Sequence, residues 1–232
     1  MIGLIGAMSL EVEGLIARME NVRCETLAGM RFTCGQLFGH EAVLAVCGPG
    51  KVNAALCAQA LILRWQPEWL LNVGVAGSGR EGIGIGDLVI ATSAVQHDMD
   101  TTPLGDPPGF VSGVNLVDFP CDGRLREALK KAAATVKGLR VHEGRIATGD
   151  QFINGSEQRG RIRRLFDAAA VEMEGAAVAH ACYAHGVRCG ILRSISDEAD
   201  GRSDVDYPTF SRAAAAHTQA VVEALLREGA AV

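Results

Sequence analysis

The chain has 232 residues, of which 48% are apolar and 21% are charged, so it can bury a large core and long disordered segments are not expected. We expect one α/β domain spanning residues 1–232. The formal net charge of −5 gives no general attraction to polyanions, which argues against a protein that coats nucleic acid or binds anionic membranes.

The cysteines and the apolar runs indicate where the protein works. The seven cysteines include no Cys-x-x-Cys pair, so the sequence predicts neither a disulfide framework nor a cysteine zinc site. We expect the cysteines to be thiols in a reducing compartment. No basic leader precedes the first apolar run at 2–7, and no run reaches the about 18 residues that cross a bilayer. We therefore expect a soluble, cytoplasmic protein.

Short apolar runs alternate with segments of helical period, which predicts a mixed central β-sheet flanked by helices on both faces. In chain order we expect a strand at 2–7, a helix capped by Ser9, strands at 30–37 and 41–47, a helix at 52–65, strands at 69–75 and 87–96, a helix at 123–137, a strand at 141–148, a helix at 156–166, a strand at 169–173, a helix at 175–185, a strand at 188–195 and a helix at 208–227. Residues 101–122 contain four prolines and form the one long irregular stretch, which we expect to act as a lid.

Two glycine-rich segments resemble nucleotide-binding loops but lack essential parts. Gly77–Gly82 spells GxGxxG after a strand, yet residues 83–90 enter another strand, so a pyrophosphate would have no helix N-terminus to bind. Gly48–Lys51 resembles the end of a Walker loop, but Ala45 replaces its first glycine and Val52 replaces the hydroxyl residue that would bind magnesium. We expect no nucleotide cofactor.

Histidine and arginine clusters do not complete a ligand set either. The segment 97–100 could chelate a metal, but no second cluster accompanies it, and His180 and His185 do not share a helix face. We therefore expect no metal. The arginines at 159–164 are expected to scatter around a solvated helix rather than to bind an anion.

Acidic residues follow three apolar strands, at the edge where ligands bind in open α/β sheets. Glu11 follows the first strand, Glu172 and Glu174 precede a helix of small residues, and Asp197 ends the last strand. Taken singly, Glu174 and Asp197 could merely cap helices, and Glu172 could pair with an arginine. Taken together, these positions indicate a common site.

Six sequence blocks in this order resemble the purine nucleoside phosphorylase superfamily and, within it, the 5′-methylthioadenosine/S-adenosylhomocysteine nucleosidases. The blocks are IGLIGAM at 2–8 followed by Glu11, GKVNAA at 50–55, NVGVAG at 72–77, GDQFING at 149–155, VEME at 171–174 and RSISD at 193–197. The resemblance implies a three-layer nucleoside phosphorylase-like fold, a homodimer, and no metal or organic cofactor. The implied reaction is hydrolysis of the N-glycosidic bond of these nucleosides to adenine and a thioribose, in the salvage of methionine.

The resemblance implies roles for the acids. Glu11 would position and deprotonate the attacking water, and Asp197 would protonate purine N7, with Arg193 and Ser196 supporting these acids. The chemistry makes the same demands, because cleavage develops positive charge on the ribose and negative charge on the departing base. An acid at position 197, rather than an asparagine, also favours a 6-aminopurine such as adenine.

The resemblance also implies how the nucleoside is held. Phe152 would stack on adenine while the backbone of Ile153 reads its edge, and Met173 and Glu174 would hold the ribose. The full set of expected substrate-binding residues is Met8, Gly77, Phe152, Ile153, Met173, Glu174 and Ser196.

The nucleophile is one open question within this resemblance. Phosphorylases of this fold tend to carry a Gly/Arg phosphate grip and a serine where this chain has Ala7-Met8 and Ala76. Glu11 would also repel a phosphate dianion, so water is favoured over phosphate. A phosphate-dependent purine nucleoside phosphorylase remains the alternative.

The 5′ substituent of the nucleoside is the other open question. Val75 and Pro49 stand where the nucleosidases usually have a serine and an aliphatic residue, and residues 101–117, which border the 5′ pocket in the family, match poorly. An aminofutalosine hydrolase, with a larger 5′ group, therefore stays open. A non-catalytic adenosine-binding sensor is the alternative from another class.

Overall fold

This computed structural model describes residues 1–199 and 203–227, in which helices separate single strands or runs of strands. The strands are β1 Ile2–Gly6, β2 Met19–Leu27, β3 Met30–Leu37, β4 His40–Val46, β5 Trp69–Ser78, β6 Leu88–Gln96, β7 Asp118–Pro120, β8 Val141–Thr148, β9 Ala168–Glu172 and β10 Arg188–Asp197. The helices are α1 Ser9–Ile16, α2 Lys51–Trp65, α3 Gly123–Thr135, α4 Ser156–Phe166, α5 Gly175–His185 and α6 Ser203–Arg227.

The strands form one mixed sheet with the order β10-β6-β8-β9-β5-β1-β4-β3-β2, and β7 pairs with β6. Strand β10 also runs parallel to β5, which closes β5, β10, β6, β8 and β9 into a ring. Strand β1 lies outside the ring, parallel to both β4 and β5. The carboxyl ends of β1, β5 and β10 therefore meet at the same edge of the sheet.

Helices cover both faces of this sheet, because side chains on successive strand residues point to opposite sides. Ile5 packs in the cluster that includes Leu61 of α2 and Val178 of α5. Its neighbour Leu4 packs in the other large cluster, which draws on α1, α3 and α6 and includes Val222. These observations confirm the predicted three-layer α/β architecture.

Several elements differ from the sequence-based expectations. Strand β2 was not expected, because it is a mostly exposed edge strand without an apolar run. Met8, not Ser9, is the N-cap residue of α1. Helix α6 begins at Ser203, five residues before the expected start at 208. Pro208 therefore lies inside the helix, where a proline removes a backbone hydrogen bond.

The stretch at 101–122 is largely irregular, as predicted, but it contains a short 3₁₀ helix, Thr102–Leu104, and strand β7. Its action as a lid stays a prediction. Among the helices that the structure describes, none is both long and apolar enough to span a bilayer.

Candidate active site

A cavity of about 210 Å³ opens where the carboxyl ends of β1, β5, β9 and β10 come together. Its lining includes nearly all of the predicted site residues, namely Met8, Glu11, Gly77, Phe152, Ile153, Met173, Glu174, Ser196 and Asp197. Arg193 is the exception, because it is buried within β10 and is not part of the lining. The structure thus brings residues of five of the six sequence blocks to one place, all but the block at 50–55.

Glu11 is held rigidly at one side of the cavity. Its Oε2 atom accepts hydrogen bonds from the N–H groups of Ala7 (2.7 Å) and Met8 (2.9 Å), and its Oε1 atom accepts one from Val75 (3.0 Å). Burial raises the pKa of Glu11, although the charge of Arg193 and these three N–H groups oppose the shift. The result is an oriented carboxylate that is a stronger base than an exposed glutamate.

Glu172 has a structural part in the site. Its Oε2 atom accepts from the N–H groups of Glu174 (3.1 Å) and Gly175 (2.7 Å) and binds the guanidinium of Arg193, while Oε1 accepts from Thr148 Oγ1. Glu172 therefore caps α5 and neutralises a buried arginine, and the arginine pairing that the sequence left open for it is confirmed.

The side chain of Glu174 does not cap helix α5, although the sequence also allowed that role. Its side chain makes no cap hydrogen bond to α5, and Oε1 instead accepts from Gly50 N at 2.8 Å. Burial, together with the charge of Glu172, raises the pKa of Glu174 to about 7. The carboxyl group faces the cavity with the capacity to accept further hydrogen bonds.

Asp197 is the last residue of strand β10 and is 2% exposed. Its Oδ2 atom accepts from Ser196 Oγ (3.0 Å) and its Oδ1 atom from the N–H group of Ala199 (3.1 Å). A β-carbon on Gly77 would fall 3.0 Å from Asp197 Oδ1. Glycine at position 77 therefore leaves the carboxyl group room beside β5.

Arg193 is buried beside the site and does not line the cavity. Its guanidinium donates to the carbonyl oxygen of Asn72 (3.1 Å) and to Glu172, and it makes no direct hydrogen bond to Glu11 or Asp197. Its charge nevertheless lowers the pKa that burial would give to Glu11 and Glu174. Arg193 therefore acts on Glu11 through its charge and not through a hydrogen bond, and its support of the two acids stays a prediction.

Aromatic side chains border the mouth of the cavity. Phe152 is 51% exposed, and its ring lies edge-on to that of Tyr207, with 5.7 Å between centroids. The Tyr207 hydroxyl donates to Met8 Sδ at 2.8 Å. Sequence reasoning missed Tyr207, whose signal was its rarity as one of two tyrosines in the chain.

The loops that resemble nucleotide or metal sites make other contacts. Asp98 binds Lys51 Nζ (2.7 Å) and accepts from Asp150 N (2.9 Å), which links the Gly48–Lys51 loop to the loop after β8. No three potential metal ligands cluster in the described part of the chain. After Gly77–Gly82 the chain enters β6, as expected, without an intervening helix.

The comparisons with known proteins agree over the whole described chain. Residues 1–227 match the Phosphorylase superfamily. The 5′-methylthioadenosine/S-adenosylhomocysteine nucleosidase of Shewanella loihica is 38% identical over 227 residues, which cover 97% of this chain and 98% of that relative.

Solved structures with the same fold include a nucleosidase and a futalosine hydrolase. The nucleosidase of the same name from Neisseria meningitidis, in complex with methylthio-immucillin-A, has a TM-score of 0.94 at 37% identity and covers 98% of both chains. A futalosine hydrolase of Helicobacter pylori has a TM-score of 0.93 at 32% identity, covering 98% of this chain and 97% of its own. The chain therefore belongs to the phosphorylase superfamily and, within it, to the family of 5′-methylthioadenosine/S-adenosylhomocysteine nucleosidases.

Proposed function

We propose that the protein is an N-glycosyl hydrolase that cleaves 5′-methylthioadenosine and S-adenosylhomocysteine to adenine and the corresponding thioribose. The observation that carries this proposal is that Glu11, Glu174 and Asp197, from three distant parts of the chain, line one cavity. N-glycosidic cleavage needs an acid at the base and a carboxylate at the sugar, because the two parts develop opposite charges.

Asp197 is the proposed acid. As the bond between C1′ and N9 breaks, its carboxyl proton passes to N7 of the purine, so that adenine leaves as a neutral molecule. The contacts of Asp197 to Ser196 Oγ and Ala199 N support this role, because they hold the carboxyl group in one orientation beside Gly77. Phe152 stacks on the base, and the backbone of Ile153 reads its edge.

Glu11 is the proposed base. It accepts a proton from a water molecule whose oxygen forms the new bond to C1′, and its three backbone N–H contacts keep it aimed at that water. Glu174 binds the ribose hydroxyls, which can donate to its ionised carboxylate. Met173 and Met8 pack against the sugar.

Water is a better nucleophile for this site than phosphate. The described residues that line the cavity include Glu11 and Glu174 but no lysine or arginine. A phosphate dianion would meet two carboxylates without a compensating cation, which disfavours its binding. The phosphorylase alternative is therefore the weaker one, while an aminofutalosine hydrolase keeps support from the likeness to the H. pylori futalosine hydrolase.

A homodimer is the proposed assembly. On α2, Val52, Leu56 and Leu63 are 68%, 52% and 62% exposed, and Tyr183 of the neighbouring α5 is 48% exposed. Exposed large apolar side chains gathered on one helix pair are typical of a surface that binds a partner. From its cysteine usage we place this single-domain enzyme in the cytoplasm and, as the resemblance implies, in the salvage of methionine.

A phosphate-free assay tests the function directly. Purified protein is incubated with methylthioadenosine, adenosylhomocysteine or aminofutalosine in parallel, and adenine is quantified by chromatography with and without added phosphate. We expect adenine from the first two nucleosides without phosphate. Release that requires phosphate would identify a phosphorylase, preference for the third would identify an aminofutalosine hydrolase, and intact nucleoside after long incubation would identify a sensor.

A further inference from the structure

We propose that the hydroxyl of Tyr207 selects the 5′ substituent of the nucleoside and favours substituents that offer an oxygen acceptor at that position. The inference rests on the proposed function, because it requires the base at Phe152 and Asp197 and the ribose hydroxyls at Glu174. It concerns the one part of the substrate that the resemblance leaves open.

The place of Tyr207 follows from its contacts at both ends of the ring. Its ring forms a T-shaped pair with the ring of Phe152, while its hydroxyl donates to Met8 Sδ, two residues beyond the end of β1. The N–H group of Met8 in turn donates to Glu11. Tyr207 therefore spans the cavity from the base side to the sugar side. Its hydroxyl lies at the sugar end.

Elimination leaves few other groups to contact the 5′ substituent. The acids of the lining are assigned to the base, to the ribose and to water, and Glu172 is held by Arg193 and Thr148. The hydroxyl of Ser196 already donates to Asp197. Pro49, Val75 and Met8 are apolar, and Gln151 adjoins Phe152 on the base side. Among the described lining residues, Tyr207 is thus the polar side chain that remains for the 5′ group.

The acceptor that the Tyr207 hydroxyl uses within the protein indicates which substrate atoms it prefers. Its present acceptor is a thioether sulfur, which is a weak hydrogen-bond acceptor. A substrate with a 5′ thioether offers the same kind of acceptor and gains little from the exchange. A substrate with a 5′ oxygen offers a stronger acceptor, so binding gains a better hydrogen bond.

The phenol remains a donor over the working range of pH. Burial, together with the negative charges of Glu11, Glu174 and Asp197, raises the pKa of Tyr207 to about 12. The ring is also held in place, because it packs beside Val75 in a small cluster with residues of α6. A phenylalanine would keep this packing and remove only the hydroxyl.

The test compares the parent with Tyr207→Phe on three nucleosides: adenosine, 5′-deoxyadenosine and methylthioadenosine. We expect kcat/KM for adenosine to fall about tenfold in the variant, as the loss of one net hydrogen bond implies. For 5′-deoxyadenosine, which has no 5′ acceptor, and for the thioether, the change should stay within about twofold. An equal fall on all three would mean that Tyr207 only positions the ring, and no fall on adenosine would also overturn the proposal.

A second variant tests the partner of the hydroxyl. Met8→Leu removes the thioether acceptor at similar volume, so binding no longer breaks the Tyr207–Met8 hydrogen bond and kcat/KM for adenosine should rise, whereas Tyr207→Phe in that background should cancel the rise. A kcat/KM for adenosine that does not change in Met8→Leu contradicts the proposed competition. Parent protein that cleaves none of the nucleosides would instead refute the proposed function and this inference with it, whereas cleavage of methylthioadenosine without a Tyr207 effect refutes the inference alone.

Discussion

Gly74 lies so close to Glu11 that a β-carbon at position 74 would fall 2.4 Å from Glu11 Oε1. The strand residue therefore has to be glycine if the carboxylate is to keep its bond to Val75 N. Gly74→Ala should displace Glu11 and lower kcat for methylthioadenosine by about 10²-fold, the cost of a misplaced reacting group. Steady-state kinetics would measure it.

A glycine elsewhere provides the matched control. Gly123, the first residue of α3, is exposed, and an added β-carbon there would meet nothing within 4 Å. Gly123→Ala should leave kcat unchanged. If Gly74→Ala also keeps the parental kcat, Glu11 is not the group whose placement limits the reaction.

Asp197→Asn keeps the shape of the side chain but removes the proton that the departing base needs. We expect kcat to fall by about 10²-fold or more, in the range that loss of a general acid costs. Glu198→Gln is the control, since Glu198 is the exposed neighbour in the chain, and it should behave like the parent. An unchanged kcat in Asp197→Asn would remove Asp197 from the mechanism.

The sequence was sufficient to predict which acids gather, but not how they divide their tasks. The carboxyl ends of neighbouring parallel strands share an edge, so Glu11 and Asp197 could be placed together from strand patterns alone. Glu172 and Glu174 are two residues apart, and nothing local distinguishes them. Their roles depend on Arg193, which approaches from β10, a relationship of the tertiary fold.

Features without a local pattern could not be predicted. Tyr207 reaches the cavity because α6 packs across β5 and β10. No sequence motif predicts this packing. Strand β2 escaped prediction for another reason, because an exposed edge strand does not need an apolar run. Met8 is the N-cap residue in place of Ser9, and the carboxylate of Glu11 accepts a hydrogen bond from the N–H group of Met8.

The raised pKa of Glu174 makes stability depend on pH. Its folded value of about 7 exceeds the ordinary value of 4.5, so the folded state binds this proton more tightly than the unfolded state. Its contribution to the free energy of unfolding is therefore lost as pH rises from about 4.5 to about 7. Glu174→Gln should remove that loss, so the difference between unfolding free energies at pH 5 and pH 8, from urea titrations, should shrink relative to the parent.

The control for Glu174 is an acid with an exposed side chain. Glu41→Gln, on β4, should keep the pH dependence of the parent, because Glu41 is exposed on the surface of the sheet. If Glu174→Gln and Glu41→Gln show the same pH dependence, the carboxyl group of Glu174 does not titrate near neutrality. Glu174→Gln should also raise KM, since an amide is a poorer acceptor for ribose hydroxyls than a carboxylate.

The apolar face of α2 predicts how the chain assembles. Leu56 is 52% exposed between Val52 and Leu63, so a charge at its position would be buried without a partner if that face packs against a second copy. The parent should sediment as a dimer at micromolar concentration, and Leu56→Asp should shift it towards the monomer mass. Val22→Asp introduces the same charge at an exposed apolar residue of the edge strand β2 and should remain dimeric. A Leu56→Asp protein that sediments like the parent would place the interface elsewhere, and a monomeric parent would rule out the dimer.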